Sequence, residues 1–529
     1  MICQRQTVLV LVPMLIYACG GTEPGPAGGA MPVTVDRCPR SAALVPGAVD
    51  GPLYRTVAPF EHHDISRSHL FVHSCSTQEL VGDAPVQIVA TTAPDDYATP
   101  FNAATRDRDE ILLHGFGAQA GTPVGGYVAM LDADTLEQRW RTPIYDNKPA
   151  YQWSWPGMVT VHGNGFIYAV YGNRFYKIDP GDGRILAERE LPENPHGAVY
   201  NGFDVLPDGR MVTKNMESPL CPIAVANSLI PYSVANELLS RAVGVQTFGG
   251  LACHLLLNTT PSTMLVLDPD ALDVISEITL PEAMAGRVTV HAHDGRTYAY
   301  LPGRANLYRY EYTGTAMLLD EDWGPIPYVE PGEGPAAAAS FIDDFVILHN
   351  SGYAKAGSLF AADIRDAESQ HRLDPFAPAE GVPLGPSFVL SQQATDDDNN
   401  VVVALDSFAL KLGAFRFEPE SGFAKLWERP SLSIAYATLV GPPAQRQIVV
   451  PDQLQLGPVT GDPLAGLLQD RVLWIDLFQG DVVASSEGLD LLPAPGNIVS
   501  PGFDGRFYYP GVSGALTELQ VRSATAAHR

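Results

Sequence analysis

Three short stretches of this sequence gather side chains capable of chemistry. Glu61-His62-His63-Asp64 sets two imidazoles between two carboxylates. Such a set can ligate a metal or move a proton near neutral pH. His291 and His293 lie two residues apart and would share one face of a strand. Asp396-Asp397-Asp398-Asn399-Asn400 offers oxygen ligands of the kind calcium takes. Each stretch also has a plainer reading. The first precedes any convincing repeat and reads as a solvated loop. His291 aligns with His162 at the end of an equivalent strand, which favours a repeated packing role. The Asp/Asn run falls where a hairpin turn belongs, and it lacks the alternating ligands and glycine of a calcium loop. No Gly-x-Ser-x-Gly, P-loop or dinucleotide motif stands out.

The elements that must position these residues are repeats. Met158-Val159-Thr160-Val161 meets a turn at Gly163-Asn164-Gly165. Phe166 to Tyr171 follows, then a turn at Gly172-Asn173, then Arg174 to Asp179. A last tight turn, Pro180-Gly181-Asp182-Gly183, leads into Ile185 to Leu191. Four short strands joined by hairpins cannot bury both faces alone, so the unit must stack on copies of itself. The first turn recurs as Asp208-Gly209, Asp294-Gly295 and Asp504-Gly505, where a type I′ turn needs positive φ at both central positions. The third-to-fourth-strand turn recurs as Leu131-Asp132, Ile178-Asp179, Leu267-Asp268 and Ile475-Asp476, with a looser copy at Phe417-Glu418. Trp140 and Trp427 follow at the spacing where an aromatic would pack between neighbouring units.

Inner strands are expected to start near 86, 158, 201, 287, 337, 387, 434 and 497. The fold class is therefore all-β: a single β-propeller of about eight four-stranded blades, with seven as the alternative. The unit from Asn497 to Val521 lacks a fourth strand. Ser68 to His73, near the N-terminus, is expected to supply it and close the ring, removing open sheet edges. The repeat resembles the quinoprotein-type (PQQ-like) propeller superfamily over most of residues 84–521. That resemblance implies fold rather than activity. Members that are dehydrogenases carry an adjacent cysteine pair and a calcium ligand set. This chain has no Cys-Cys dipeptide, so PQQ is not expected, and calcium is left open as a cofactor. Tyr200-Asn201-Gly202-Phe203-Asp204 with Pro207-Asp208-Gly209 is similar to a stretch of gluconolactonase-like and strictosidine-synthase-like propeller enzymes. The resemblance implies a metal-ligand role for Asn201, set against a plain strand-entry turn.

The chain has 529 residues with 33 Lys+Arg against 60 Asp+Glu, a net charge of −27. A polyanion would be repelled, which excludes nucleic acid as a partner. Residues 1–19 read as an export signal: Arg5, then an apolar stretch too short to span a bilayer, then Leu15-Ile16-Tyr17-Ala18-Cys19. This end resembles the bacterial lipoprotein box and implies a lipid anchor on Cys19, set against ordinary signal cleavage nearby that would leave a secreted, soluble product. Residues 20–50 read as a flexible tether and extension, 51–521 as the propeller, and 522–529 as a tail. In an oxidising compartment Cys38, Cys75, Cys221 and Cys253 are expected to pair, preferentially Cys38–Cys75 and Cys221–Cys253. An insertion at 216–262, with a short helix expected over Val234 to Val243, is either a lid on the channel or a stapled decoration.

Two functions fit. One is a non-catalytic binding or scaffold propeller of the bacterial envelope, periplasmic or surface-held, with a protein or small molecule at its channel face. The other is an envelope enzyme with a channel site, either a metal-assisted hydrolase or an oxidoreductase. In both, ligand contacts are expected at inner-strand starts: Trp155, Asn201, Arg287, Ser340, Ser387 and Asn497.

Overall fold

The structure is a computed structural model. It describes residues 39–75 and most of 86–523; within the latter, 93–99, 120–121, 145–156, 193–197, 218–259, 353–356, 377–391, 407–408, 456–467, 493–495 and a few single positions lie outside the described residues. Trp155, Ser387, Cys19, Cys38, Cys221, Cys253 and the helix expected at Val234 to Val243 also lie outside them.

Eight antiparallel sheets follow one another along the chain, each a meander of four principal strands. Blade 1 runs from its inner strand Pro100–Thr105 to its outer strand Gln138–Ile144. The inner strands of blades 2, 3 and 4 are Met158–Val161, Ala198–Val205 and Thr289–His293. That of blade 5 is split into Glu333–Ala336 and Ser340–Ile342. Blades 6, 7 and 8 begin at Ala394–Asp396, Thr438–Val440 and Ser500–Pro501. The expected eight-bladed propeller is therefore present. The start expected near 86 is corrected: Val86–Thr92 is the outer strand of blade 8, paired with Leu516–Ser523 from Val86 opposite Ser523 to Thr92 opposite Thr517. An N-terminal strand closes the ring, but it is this one and not Ser68 to His73.

Period-two alternation explains why the blades stack. In Ile167–Tyr171, Ile167, Ala169 and Tyr171 face blade 1 and join one apolar cluster. Tyr168 and Val170 face blade 3 and join the next. Each seam repeats this, including the closing one, where Leu113 and Tyr127 of blade 1 meet Tyr508 and Leu516 of blade 8. The core is thus divided into wedges between sheets, and no blade could stay dry without both neighbours.

The repeated turns have local causes. Asp132, Asp268 and Asp476 each accept, through one carboxylate oxygen, the amides two and three residues on. Trp140 Nε1 donates to Pro180 O at 2.9 Å, and Trp427 Nε1 to Leu477 O at 2.8 Å, each on the next blade. Gly183 and Gly480 sit under those rings at φ 74° and 77°, where a Cβ would come within 2.4 and 2.6 Å of the indole. Both central residues of the Asp294-Gly295 and Asp504-Gly505 turns have positive φ, as type I′ requires. At Asp208-Gly209 only the glycine does.

Candidate functional site: a self-filled channel

The centre of the ring is occupied by the chain's own residues 53–75. The segment enters beside the first hairpin turn of blade 2, where Tyr54 N–H donates to Val161 O at 3.1 Å. It leaves beside blade 7, where Leu70–Phe71 pairs in parallel with Leu439 and Val440. Entry and exit share the face on which inner strands end, so the segment is a re-entrant plug. Inner strands of five blades donate amide hydrogens to its carbonyls: Thr105 to Ala58, Val161 to Pro59, Val290 to Ile65, Thr395 to Ser68 and Leu439 to His69, all at 2.7–3.1 Å. A propeller's inner strand has an unpaired edge, and here the plug satisfies part of it.

The solvated loop expected at Glu61 to Asp64 is corrected by this placement. Glu61 is 3% exposed and His62 is fully buried. The turn at the plug's tip brings them to the level where inner strands start. Glu61 Oε2 accepts from Asn102 Nδ2 of blade 1 at 2.5 Å, and Glu61 Oε1 accepts from Arg287 Nη1, just before the inner strand of blade 4. Arg287 Nη1 also donates to His62 Nε2 at 2.6 Å. An arginine can only donate, so His62 Nε2 carries no proton and its Nδ1–H must be the donor to His69 Nε2, 2.6 Å away. His69 Nδ1–H then donates to Ala437 O at 3.2 Å. Burial holds both imidazoles well below the usual histidine range, which agrees with two neutral rings in fixed tautomers. The Tyr436 ring covers both, with centroids 5.4 and 5.0 Å away.

A second buried ion pair braces the plug. Arg67, fully buried, donates to Val288 O at 2.8 Å and Phe203 O at 3.0 Å, and lies 3.7 Å from Asp204. Burial pushes the Asp204 carboxyl up to about 7, against the pull of Arg67 and of the Val205 and Val290 amides that it accepts.

Of the residues expected to contact a ligand, Arg287 meets the plug directly. Asn201 is buried at a bulge between Tyr200 and Phe203, and its Oδ1 has no hydrogen-bond partner among the described residues. Ser340 accepts from Gln393 Nε2 at 2.8 Å across the seam to blade 6. Asn497 donates to Phe101 O across the seam to blade 1. His162 and His291 each touch the following blade, at Gly209 O (2.7 Å) and the Phe341 ring (centroids 3.9 Å). The Asp396–Asn400 stretch includes a hairpin turn, clamped by Arg446 on Asp396 (2.8 Å) and Asp398 (2.6 Å). Among the described residues no three His, Cys, Asp or Glu side chains gather as a metal site would need. Asn102 and Tyr436 were missed by sequence reasoning. An Asn at the start of an inner strand, repeated at 102, 201 and 497, was the available signal for the first.

The fold and site define an eight-bladed propeller with a self-filled channel. Neither a protein-family model nor a curated protein matches the sequence. Solved structures resemble the fold. BamB from Moraxella catarrhalis is 12% identical, covering 82% of this chain and 100% of its own, at a TM-score of 0.43. The quinohemoprotein alcohol dehydrogenase from Comamonas testosteroni is 10% identical, with coverages of 87% and 80% and a TM-score of 0.47. The Dos1 propeller is 8% identical, with coverages of 81% and 94% and the same TM-score. Nothing about function follows from likenesses this distant.

Proposed function

We propose that this chain is exported, tethered by a lipid on Cys19, and acts as a non-catalytic binding or scaffold propeller of the bacterial envelope. Its partner, a protein or a small ligand, is engaged on a ring face. One observation carries this reading: the channel, where a propeller enzyme would need open space for substrate, is filled along the inner strands by residues 53–75. The buried charges there are matched to one another, as structural pairs are. The insertion at 216–262, stapled by Cys221–Cys253, would then shape the partner face, and Cys38–Cys75 would fix the end of the plug.

The test uses the full chain expressed with its own signal. Wild type should partition with membranes and incorporate labelled fatty acid, while Cys19→Ser should do neither. Unchanged fractionation of Cys19→Ser would refute the anchor. Purified protein that retains a stoichiometric metal or a quinone absorbance would refute the non-catalytic reading.

A further inference from the structure

We propose that the ring carries a carboxylate-binding site in its channel, formed by Asn102 Nδ2 of blade 1 and Arg287 Nη1 of blade 4, and that Glu61 is its built-in occupant. The ligand class is a small aliphatic carboxylate. This goes beyond the scaffold reading and does not depend on the lipid anchor.

The two donors are set by the ring. Asn102 is oriented from its other side, where its Oδ1 accepts the Ile498 amide at 2.9 Å. A bulge between Pro100 and Asn102 breaks the register of its strand. Arg287 is fixed at its backbone, whose N–H donates to Ala337 O at 2.7 Å. Its side chain lies along Gly202, where a Cβ would stand 3.4 Å from Nε. Blades 2 and 3 lie between these two anchors, so the ring's closure, and not the plug, decides their separation. A planar amide donor and a guanidinium that meet a carboxylate at separate oxygens match its shape and charge.

Glu61 itself belongs to none of the eight blades. The segment that delivers it bends through His63, Arg67 and His69, all at positive φ (73°, 54° and 59°). Bulky side chains rarely adopt that conformation, and such strain collects where a structure over-determines a path. A free carboxylate would make the same two contacts without the strained backbone.

The experiment is thermal unfolding of full-length Glu61→Ala with sodium propionate, which carries the CH2–COO⁻ group that the substitution removes. Propionamide and sodium chloride at matched ionic strength are the controls. For a site of ~10 mM affinity, ~100 mM propionate should raise the folded-to-unfolded ratio about tenfold. The rise should saturate, be absent in wild type, and vanish in Glu61→Ala/Arg287→Met. Equal effects of propionate and propionamide would overturn the proposal. Should Glu61→Ala not fold unaided, recovery on refolding with propionate but not propionamide supports the site. If neither rescues it, Glu61→Gln decides. That variant keeps the shape, so it should melt below wild type, and adding Arg287→Met should recover part of the loss. No recovery would overturn the proposal.

Discussion

Replacing Asp204 with asparagine tests the electrostatics of the channel floor. The carboxyl is fully buried, faces Arg67 at 3.7 Å and accepts two backbone amides. Burial nonetheless outweighs these and raises it from 3.8 to about 7. Between those values the folded protein holds a proton that the unfolded chain has released. The resulting stabilisation is complete below about pH 4 and is lost as pH rises through about 7. Roughly three pH units at ~1.4 kcal/mol each amount to about 4 kcal/mol. Asparagine cannot ionise, and it offers one acceptor oxygen where two were used. It should therefore carry a pH-independent cost of about 1–3 kcal/mol. Guanidinium unfolding at half-unit steps from pH 4 to 7.5, followed by tryptophan fluorescence, reads the difference directly. Asp204→Asn should be the less stable protein at pH 4, and the gap should shrink or reverse by about 4 kcal/mol towards pH 7, with m-values unchanged. Other buried acids, such as Asp470, pushed up to about 6 by burial, act in both proteins and cancel. Parallel pH curves for the two proteins would refute the reasoning.

Three further outcomes are expected. Gly480→Ala should lose at least ~1–2 kcal/mol from its left-handed backbone alone, and more by displacing the Trp427 ring. Combined with Trp427→Leu the losses should fall short of additive, while Gly181→Ala in an exposed turn changes urea stability little. Nitrogen-15 spectra of His62 and His69 should show neutral Nδ1–H rings that do not titrate between pH 5 and 8; a midpoint in that range breaks the donor chain deduced from Arg287. Deleting residues 86–92 should expose the edge of Leu516–Ser523 and yield oligomers by light scattering. A monomer of unchanged melting temperature would remove that strand from its closing role.

The blades were legible because each is built from local signals. Hairpin turns at Gly163-Asn164-Gly165 and Asp294-Gly295, the Asx turns at Asp132 and Asp268, and the period-two runs between them all act within a few residues. The docked indoles of Trp140 and Trp427 were legible for the same reason, being tied to a turn at fixed spacing. The plug was not. Its residues carry no strand alternation, and their types, Glu61-His62-His63-Asp64 and Arg67, are those of a solvated loop. What buries them is supplied from elsewhere: Asn102, Phe203, Arg287, Val288 and Ala437, the last of them 368 residues from its partner His69. Composition cannot distinguish a charge in water from one matched by a distant charge. The closing strand was misplaced for a related reason. Ser68 to His73 and Val86–Thr92 are both short apolar stretches ahead of blade 1, and only the register with Leu516–Ser523 separates them.

The plug also alters what a propeller's channel means here. An open ring presents eight inner edges to water, and those edges cost little while water reaches them. Here Thr105, Val161, Val290, Thr395 and Leu439 give their amide hydrogens to plug carbonyls. Water can leave such a channel only if the charges that enter are also matched. Glu61 with Arg287 and Asp204 with Arg67 meet that condition, each pairing a residue of the plug with one of the ring. Burial of ions contributes little net stability when pairs are intact, but losing one partner is costly. The pairs therefore act chiefly on specificity: they fix which stretch of this acidic chain occupies the channel and in what register. The ring then presents matched charges and packed side chains in place of an open pore.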